Sequence, residues 1–332
     1  MQHEDLIVID GLQYCRWDRN VFQQLRDGGV SAVHVTIAYH ENARETLSRI
    51  GEWNLLFELH GDLVIPVHCA DDVLRAKQSG RVGIVTGFQN PSPIEDDIAL
   101  IEIFHQLGVR FMQLSYNNQS LLATGCYEAE DPGITRFGRQ AIAEMNRVGL
   151  VVDMSHSAER STLEAIEISS RPIVISHANP SSFHPALRNK SDTVLKALAA
   201  SGGLLGFSLY PFHLRHGPDC TLEEFSEMIA RTADLMGVER IGIGSDLCLN
   251  QPVEVLEWMR NGRWSKQMDY GEGSASNAGW PDPLPWFRHS GDFPNITRAL
   301  VDRGFSDADV ARIMGRNWLD FFAASFGPQK DS

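Results

Sequence analysis

Eight short runs rich in β-branched residues recur along the chain, each followed by a stretch of helical character. They fall at 6–10, 30–38, 81–87, 110–115, 150–154, 172–176, 203–209 and 240–245. Runs such as VSAVHVTIA and RVGIVTG are apolar almost throughout rather than alternating, as strands of a parallel sheet covered on both faces must be. A parallel neighbour needs a crossover, which the helical stretches supply. Eight β-α units predict an α/β fold, a closed (β/α)8 TIM-type barrel, with extra C-terminal helices at 295–303 and 307–322. An open doubly wound sheet is the alternative, but no strand is followed by GxGxxG. Thr221 with Glu224 three residues on reads as a capping box. A helix over 93–107 is expected to carry Glu95, Asp96 and Asp97 in its first turn. No repeat, low-complexity tract or linker divides the chain, so one barrel domain is expected over residues 1–332. An aromatic-rich excursion at about 248–292 interrupts it and holds Trp258, Trp264, Trp280 and Trp286. That segment is either packing for a long insertion or a lid over the barrel mouth.

Charge narrows the partners. A formal net charge of -14 argues against nucleic acid and anionic membranes. The start, MQHED, has no basic or apolar signal-peptide character, and no apolar run reaches spanning length. Five scattered cysteines without a CxxC pair fit reduced thiols in a cytoplasm. A small-molecule substrate is the expectation.

In a barrel the residues just past each strand line one mouth. That rule gathers residues 11–14 and 39–42, Phe88, Gln89, Asn90, Tyr116, Asn117, Asn118, His156, His177, Tyr210 and Asp246. His156 and His177 follow sequential strands with 20 residues between them, and Asp246 ends the glycine-rich run GIGSD. A lone histidine at a strand end is usually a hydrogen-bonded cap. Two at equivalent ends with an aspartate point to a metal or acid/base site. Cys15 and Cys126 read as small buried thiols. Arg188 is either a surface ion-pair former or a bidentate anchor for a substrate carboxylate.

Several stretches carry a resemblance: LGVRFMQLSYNNQSLLATGCYE, GITRFGRQAIAEMNRVGLVVDMSHS, RPIVISHAN, LRNKSD, IGIGSD and RGFSDADVARIMGRNWL. The chain resembles the renal, or membrane, dipeptidase family of zinc peptidases over nearly its whole length. That resemblance implies a (β/α)8 barrel with two zinc ions sharing a hydroxide, cleavage of dipeptides, and a homodimer. By position, His156 and His177 match the two histidines of one zinc. Asp246 matches the aspartate that contacts the other zinc and handles the proton, and Arg188 the arginine that holds the dipeptide carboxylate. The chain departs from the family elsewhere. Leu12 and Tyr14 stand where the family has a histidine and an aspartate, Gln89 where it has a bridging glutamate, and Tyr116 where many members have a histidine.

These departures have a physical consequence. Two divalent ions bring four positive charges, and Asp246 is the one carboxylate at the matched positions. Leucine cannot ligate, and a tyrosine must lose a proton of pKa about 10 to do so well. A two-zinc site is therefore not expected. One divalent metal, zinc by preference, remains open, held by His156 and His177 with Asp246, the Gln89 carbonyl oxygen, His40, Glu41 or Cys15 as third ligand. Tyr116 is then a hydrogen-bond donor to the oxyanion, and Asn117 and Gln89 join Arg188 in binding substrate. Three readings follow: a dipeptidase-family hydrolase with at most one metal, acting on a dipeptide or N-substituted small amino acid; a metal-poor relative doing another C–N bond or proton-transfer reaction; and a non-catalytic binding protein.

Overall fold

In this computed structural model residues 2–263 and 265–327 are described, so Trp264 lies outside them. The strands, in chain order, are β1 (Val8–Gln13), β2 (Val30–Ala38), β3 (Val64–Pro66), β4 (Val82–Phe88), β5 (Val109–Gln113), β6 (Val151–Asp153), β7 (Val174–Ala178), β8 (Leu204–Phe207) and β9 (Ile241–Ile243). All pairings between them are parallel. Eight of the strands close on themselves, because β2 pairs with β4 and β9 returns to β1 through Asp10 and Ile243. The result is the (β/α)8 barrel expected from the eight apolar runs. The ninth strand, β3, adds to the early part of β4 and leaves the later part free for β5. Its three residues are too short to register as a strand in sequence.

Helices alternate with the strands: α1 (Arg19–Asp27), α2 (Ala43–Leu59), α3 (Ala70–Gln78), α4 (Ala99–Gln106), α5 (Arg136–Val148), α6 (Glu159–Ile168), α7 (Asp192–Ala200) and α8 (Leu222–Met236). Their ends are set locally. Thr221 and Glu224 form the expected capping box on α8, and Gly149 closes α5 at φ 85°, a conformation that costs glycine little. The helix expected over 93–107 is shorter and begins later. A 3-10 turn at Ser92–Ile94 ends at Glu95, whose φ of 51° no helix accommodates, and Asp97 accepts from Ala99 N at 2.9 Å to start α4. Glu95, Asp96 and Asp97 therefore precede the helix rather than fill its first turn. The excursion after β9 contains α9 (Val253–Asn261), which its many Gly and Pro residues concealed.

The chain closes with α10 (Phe293–Asp302), α11 (Asp307–Ala311), a π-helical turn at Arg312–Arg316 and α12 (Asn317–Ser325). The π turn divides what reads in sequence as one helix. A Cβ at Gly315 would lie 2.3 Å from Ile7 O, so glycine lets this turn press against the start of β1. From α12 the fully buried Trp318 enters the barrel interior, and its indole N–H donates to Ile243 O at 2.9 Å. Space for the ring comes from Gly11 and Gly242, where a Cβ would approach it to 2.5 and 2.6 Å. Ile9, Phe111, Val151 and Val174 pack around this plug. This plug fills the interior away from the C-terminal strand ends, where a barrel carries its site.

Candidate active site

The ends of β6 and β7 bring His156 and His177 together, with their Nε2 atoms 3.1 Å apart. Each ring is held from behind. His156 Nδ1 pairs with Asn117 Oδ1 at 2.7 Å, and His177 Nδ1 with Ser176 Oγ at 2.7 Å. The Ser176 hydroxyl proton is already given to Asp153 Oδ2 at 2.5 Å, so Ser176 Oγ must accept from His177 Nδ1–H. The amide oxygen of Asn117 likewise requires the proton on His156 Nδ1. Both Nε2 lone pairs then point into one space. Burial first, and the Arg188 charge second, push both imidazoles well below their usual pKa, so neither brings a proton to separate the lone pairs. Ligating histidines are characteristically held this way, with the remote N–H donated to an acceptor.

Asp246 stands across a cavity of about 60 Å³ that His156 also lines. Its φ of 59° is left-handed, a strained setting for a non-glycine residue, and it is held there by Asp246 N donating to Leu12 O at 3.0 Å. Burial raises its carboxyl to about 7, opposed by Arg188 and by the Ser208 hydroxyl. Ser208 Oγ lies 3.4 Å from Oδ2, and His213 Nδ1 3.8 Å from the same oxygen and 3.0 Å from Ser208 Oγ. Burial holds His213 neutral, so its approach to Asp246 is a polar contact rather than an ion pair. Tyr116 stacks on His156 with ring centroids 4.0 Å apart, and burial keeps its phenol protonated.

Arg188 is not a surface charge. It is 2% exposed, and its guanidinium donates to the carbonyls of Ser155 and of His177, the latter at 3.1 Å. Arg188 and Gln89 both line the cavity, with the Gln89 amide tied to Thr36 Oγ1 at 2.7 Å. Asn117 lines it too, although its carbonyl oxygen is engaged by His156. The roof comes from the excursion, through Leu256, Met259 and Arg260 of α9 and the turn at 271–272. The segment also packs, with Met259, Trp258 and Trp280 against Leu12, Tyr14, Tyr39 and Tyr116, and Phe287 in the main core. Tyr116 also lines a second cleft of about 560 Å³, where His40 and Arg263 lie.

Other third-ligand candidates are placed elsewhere. Glu41 folds back onto Tyr39 N and His40 N at 2.6 and 3.1 Å. Cys15 is buried against Leu247 O at 3.5 Å, and burial pushes its thiol well up. Both face a different pocket, between β1 and α2. His40 bonds Met259 O at 3.0 Å and borders the outer cleft, not the inner cavity. Leu12 and Tyr14 pack with Tyr39, Tyr116 and Met259 in an apolar cluster. Among the described residues no group of three or more His, Cys, Asp or Glu is placed to hold an ion. Of the candidate donor atoms, the Nε2 atoms of His156 and His177 are the two that the structure brings together. His213 and Lys190 escaped the sequence reading. His213 sits in a 3-10 turn after β8, three residues past the Tyr210 that the strand-end rule selects. Lys190 is buried, with Nζ on Ser157 O at 2.6 Å and a pKa lowered by burial to about 7; its signal was its place in LRNKSD.

Comparison with known proteins agrees with this architecture. The chain is 37% identical to an amidohydrolase from Pseudomonas aeruginosa of known structure, with a TM-score of 0.93 over 98% of both chains. A metallo peptidase from Rhodobacter sphaeroides, solved with a phosphinate mimic of L-Ala-D-Ala, shares the fold at a TM-score of 0.80 and 17% identity, over 97% of this chain and 100% of that one. Dipeptidase tcpJ of Claviceps purpurea is 27% identical over 283 residues, 84% of this chain and 59% of that protein. The chain thus spans between half and two thirds of the length of such curated relatives. A family model described as membrane dipeptidase, peptidase family M19, matches residues 17–261, and it is to this family that the chain belongs.

Proposed function

We propose that this protein is a dipeptidase-type hydrolase that cleaves the amide bond of a dipeptide or an N-substituted small amino acid, with at most one divalent ion. The observation that carries the reading is the pair of Nε2 atoms 3.1 Å apart, both with Nδ1 anchored, beside a carboxyl raised to about 7. One ion, zinc by preference, held by His156 and His177, would supply Lewis acidity and a water of lowered pKa. The protein's own groups do the rest. Asp246, poised near neutrality, takes a proton from the attacking water and returns it to the leaving nitrogen. Tyr116, kept neutral by burial, donates to the oxyanion. Arg188 receives the substrate carboxylate with the N–H groups that Ser155 O and His177 O leave free. Asn117 and Ser176 keep both imidazoles in one tautomer, and the roof excludes water from the cavity. The free thiols of Cys15, Cys69, Cys126, Cys220 and Cys248 favour a reducing cytoplasm.

A panel of dipeptides and N-acyl amino acids, assayed with zinc supplied, tests this reading. Turnover is expected, with loss in His177→Ala and Asp246→Asn. Absence of turnover across the panel would refute it. A second reading has one observation behind it. A separation of 3.1 Å is also the length of an N–H···N hydrogen bond between imidazoles; that bond requires His177 to carry its proton on Nε2 instead of Nδ1, and in that tautomer the pair favours a metal-poor relative using His156 as base for a C–N bond or proton-transfer reaction. Firmly bound zinc in protein purified without chelator eliminates that reading.

A further inference from the structure

Two guanidinium groups line the inner cavity, one from the loop after β7 and one from α9. Arg188, from the loop after β7, is tied to two backbone carbonyls. Arg260, near the end of α9 in the roof, donates to Ala278 O at 2.6 Å and to the Tyr210 hydroxyl. They are 2% and 7% exposed, and neither has a carboxylate partner among the described residues. Glu272, also in the roof, turns its carboxylate to the backbone N–H of Arg188 at 3.2 Å rather than to either guanidinium. A buried cation without an anion is costly to maintain, and each guanidinium has five N–H groups to fill. The cavity's own carboxyls, Asp246 and Glu272, make no ion pair with either guanidinium among the described residues, which leaves N–H groups of both free for a further anion.

Size limits what that anion belongs to. The space enclosed is about 60 Å³, whereas a cavity of about 150 Å³ is needed to hold benzene. With the roof in place it takes a carboxylate and its α-carbon, not a whole dipeptide. The roof turn lies close to Arg260: a Cβ at Gly271 would come within 3.9 Å of its Nε. Moving this turn and α9 together would admit a larger molecule from the neighbouring cleft of about 560 Å³.

We propose that Arg260 is a second anion anchor: it grips the carboxylate of a small amino-acid derivative from α9 while Arg188 holds it from the loop after β7, and this contact draws the roof shut over the substrate. The proposal rests on the reading of the inner cavity as the substrate site. It makes Arg260 a specificity-determining residue, selecting substrates with a free carboxylate over their amides.

The test uses the full chain as purified, with N-acetylglycine and N-acetylglycinamide as probes. Binding is measured by calorimetry, and roof closure by deuterium uptake over 253–272. The wild type should bind the acid and gain protection across the roof. Arg260→Gln should bind the acid about 10- to 100-fold more weakly and gain no roof protection. Arg260→Lys should restore part of both, and the amide should bind wild type and Arg260→Gln alike. Unchanged acid binding in Arg260→Gln, with loss in Arg188→Gln, overturns the second anchor and leaves the site reading standing. Failure of the wild type to bind N-acetylglycine overturns both.

Discussion

Asp153→Asn changes one oxygen into an NH2 group and reaches both histidines. Asp153 Oδ1 accepts from Ser155 N, Ser155 Oγ and Ser176 N at 3.0, 2.6 and 3.1 Å. Oδ2 accepts from Ser176 Oγ and Gln113 Nε2 at 2.5 and 3.2 Å. Asparagine keeps the three bonds of Oδ1 but makes them neutral, at about 1 kcal/mol each, or about 3 kcal/mol in all. On the other side Gln113 can turn over, because its Oε1 is buried without a partner and would accept from the new NH2. Ser176 Oγ must also accept from that NH2, so its own proton swings to His177 Nδ1. His177 then carries its proton on Nε2, where it caps the lone pair aimed at His156. The expected result is a zinc affinity lower by about 10- to 100-fold. Urea unfolding of chelator-treated protein measures the first effect, competition titration the second, and 15N spectra of the histidines report the tautomer. Unchanged zinc affinity with His177 still protonated at Nδ1 would refute the hydrogen-bond argument.

Further outcomes follow from other parts of the molecule. Trp318→Ala empties the barrel interior and removes a bond to Ile243 O, and should cost about 3–5 kcal/mol in urea unfolding; a loss below about 1 kcal/mol contradicts the plug. Burial raises Asp10 to about 6 and Asp246 to about 7 from 3.8, so at these two carboxyls the folded state binds more protons than the unfolded one across that interval. Their stabilising contribution is therefore full below about pH 4 and lost as pH rises through 6 and 7. The buried histidines pull the other way, so the difference isolates the carboxyl: relative to Asp246→Asn, the urea midpoint of the metal-free wild type should fall as pH rises over this window, and a difference that moves in the wild type's favour contradicts the assignment. Hydrolysis should lose activity as pH falls through about 7, the value to which Asp246 is raised. His213→Asn should shift that limb while leaving zinc content unchanged, and an unmoved limb removes His213 from any role beside Asp246.

Much of this architecture was legible because its signals are local. A parallel barrel strand is buried on both faces, so the eight runs stand out as apolar blocks without any partner being known. The strand-end rule predicts His156, His177 and Asp246 at one mouth; His156 and Asp246 line one cavity, and His177 meets His156 at 3.1 Å. What stayed hidden depends on distant contacts. Leu12 and Tyr14 read as missing ligands, but only the structure gives them a positive role, packing with Tyr39, Tyr116 and Met259. Arg188 reads as a charge in a loop, and only the backbone carbonyls of Ser155 and His177 show it buried; Lys190, on Ser157 O, went unread for the same reason. Glu41 and Cys15 follow strand ends just as His156 does, yet the turns after β1 and β2 carry them to another pocket. The roof helix α9 was masked by glycines and prolines that flank it rather than interrupt it.

The central claim is that half of a two-ion site survives, at His156 and His177, while the other half is filled by an apolar cluster. Metal content per chain, measured on protein purified without added metal or chelator, tests it most directly. The account predicts a value no greater than one, with any bound ion lost in His177→Ala. A value near two per chain would contradict it.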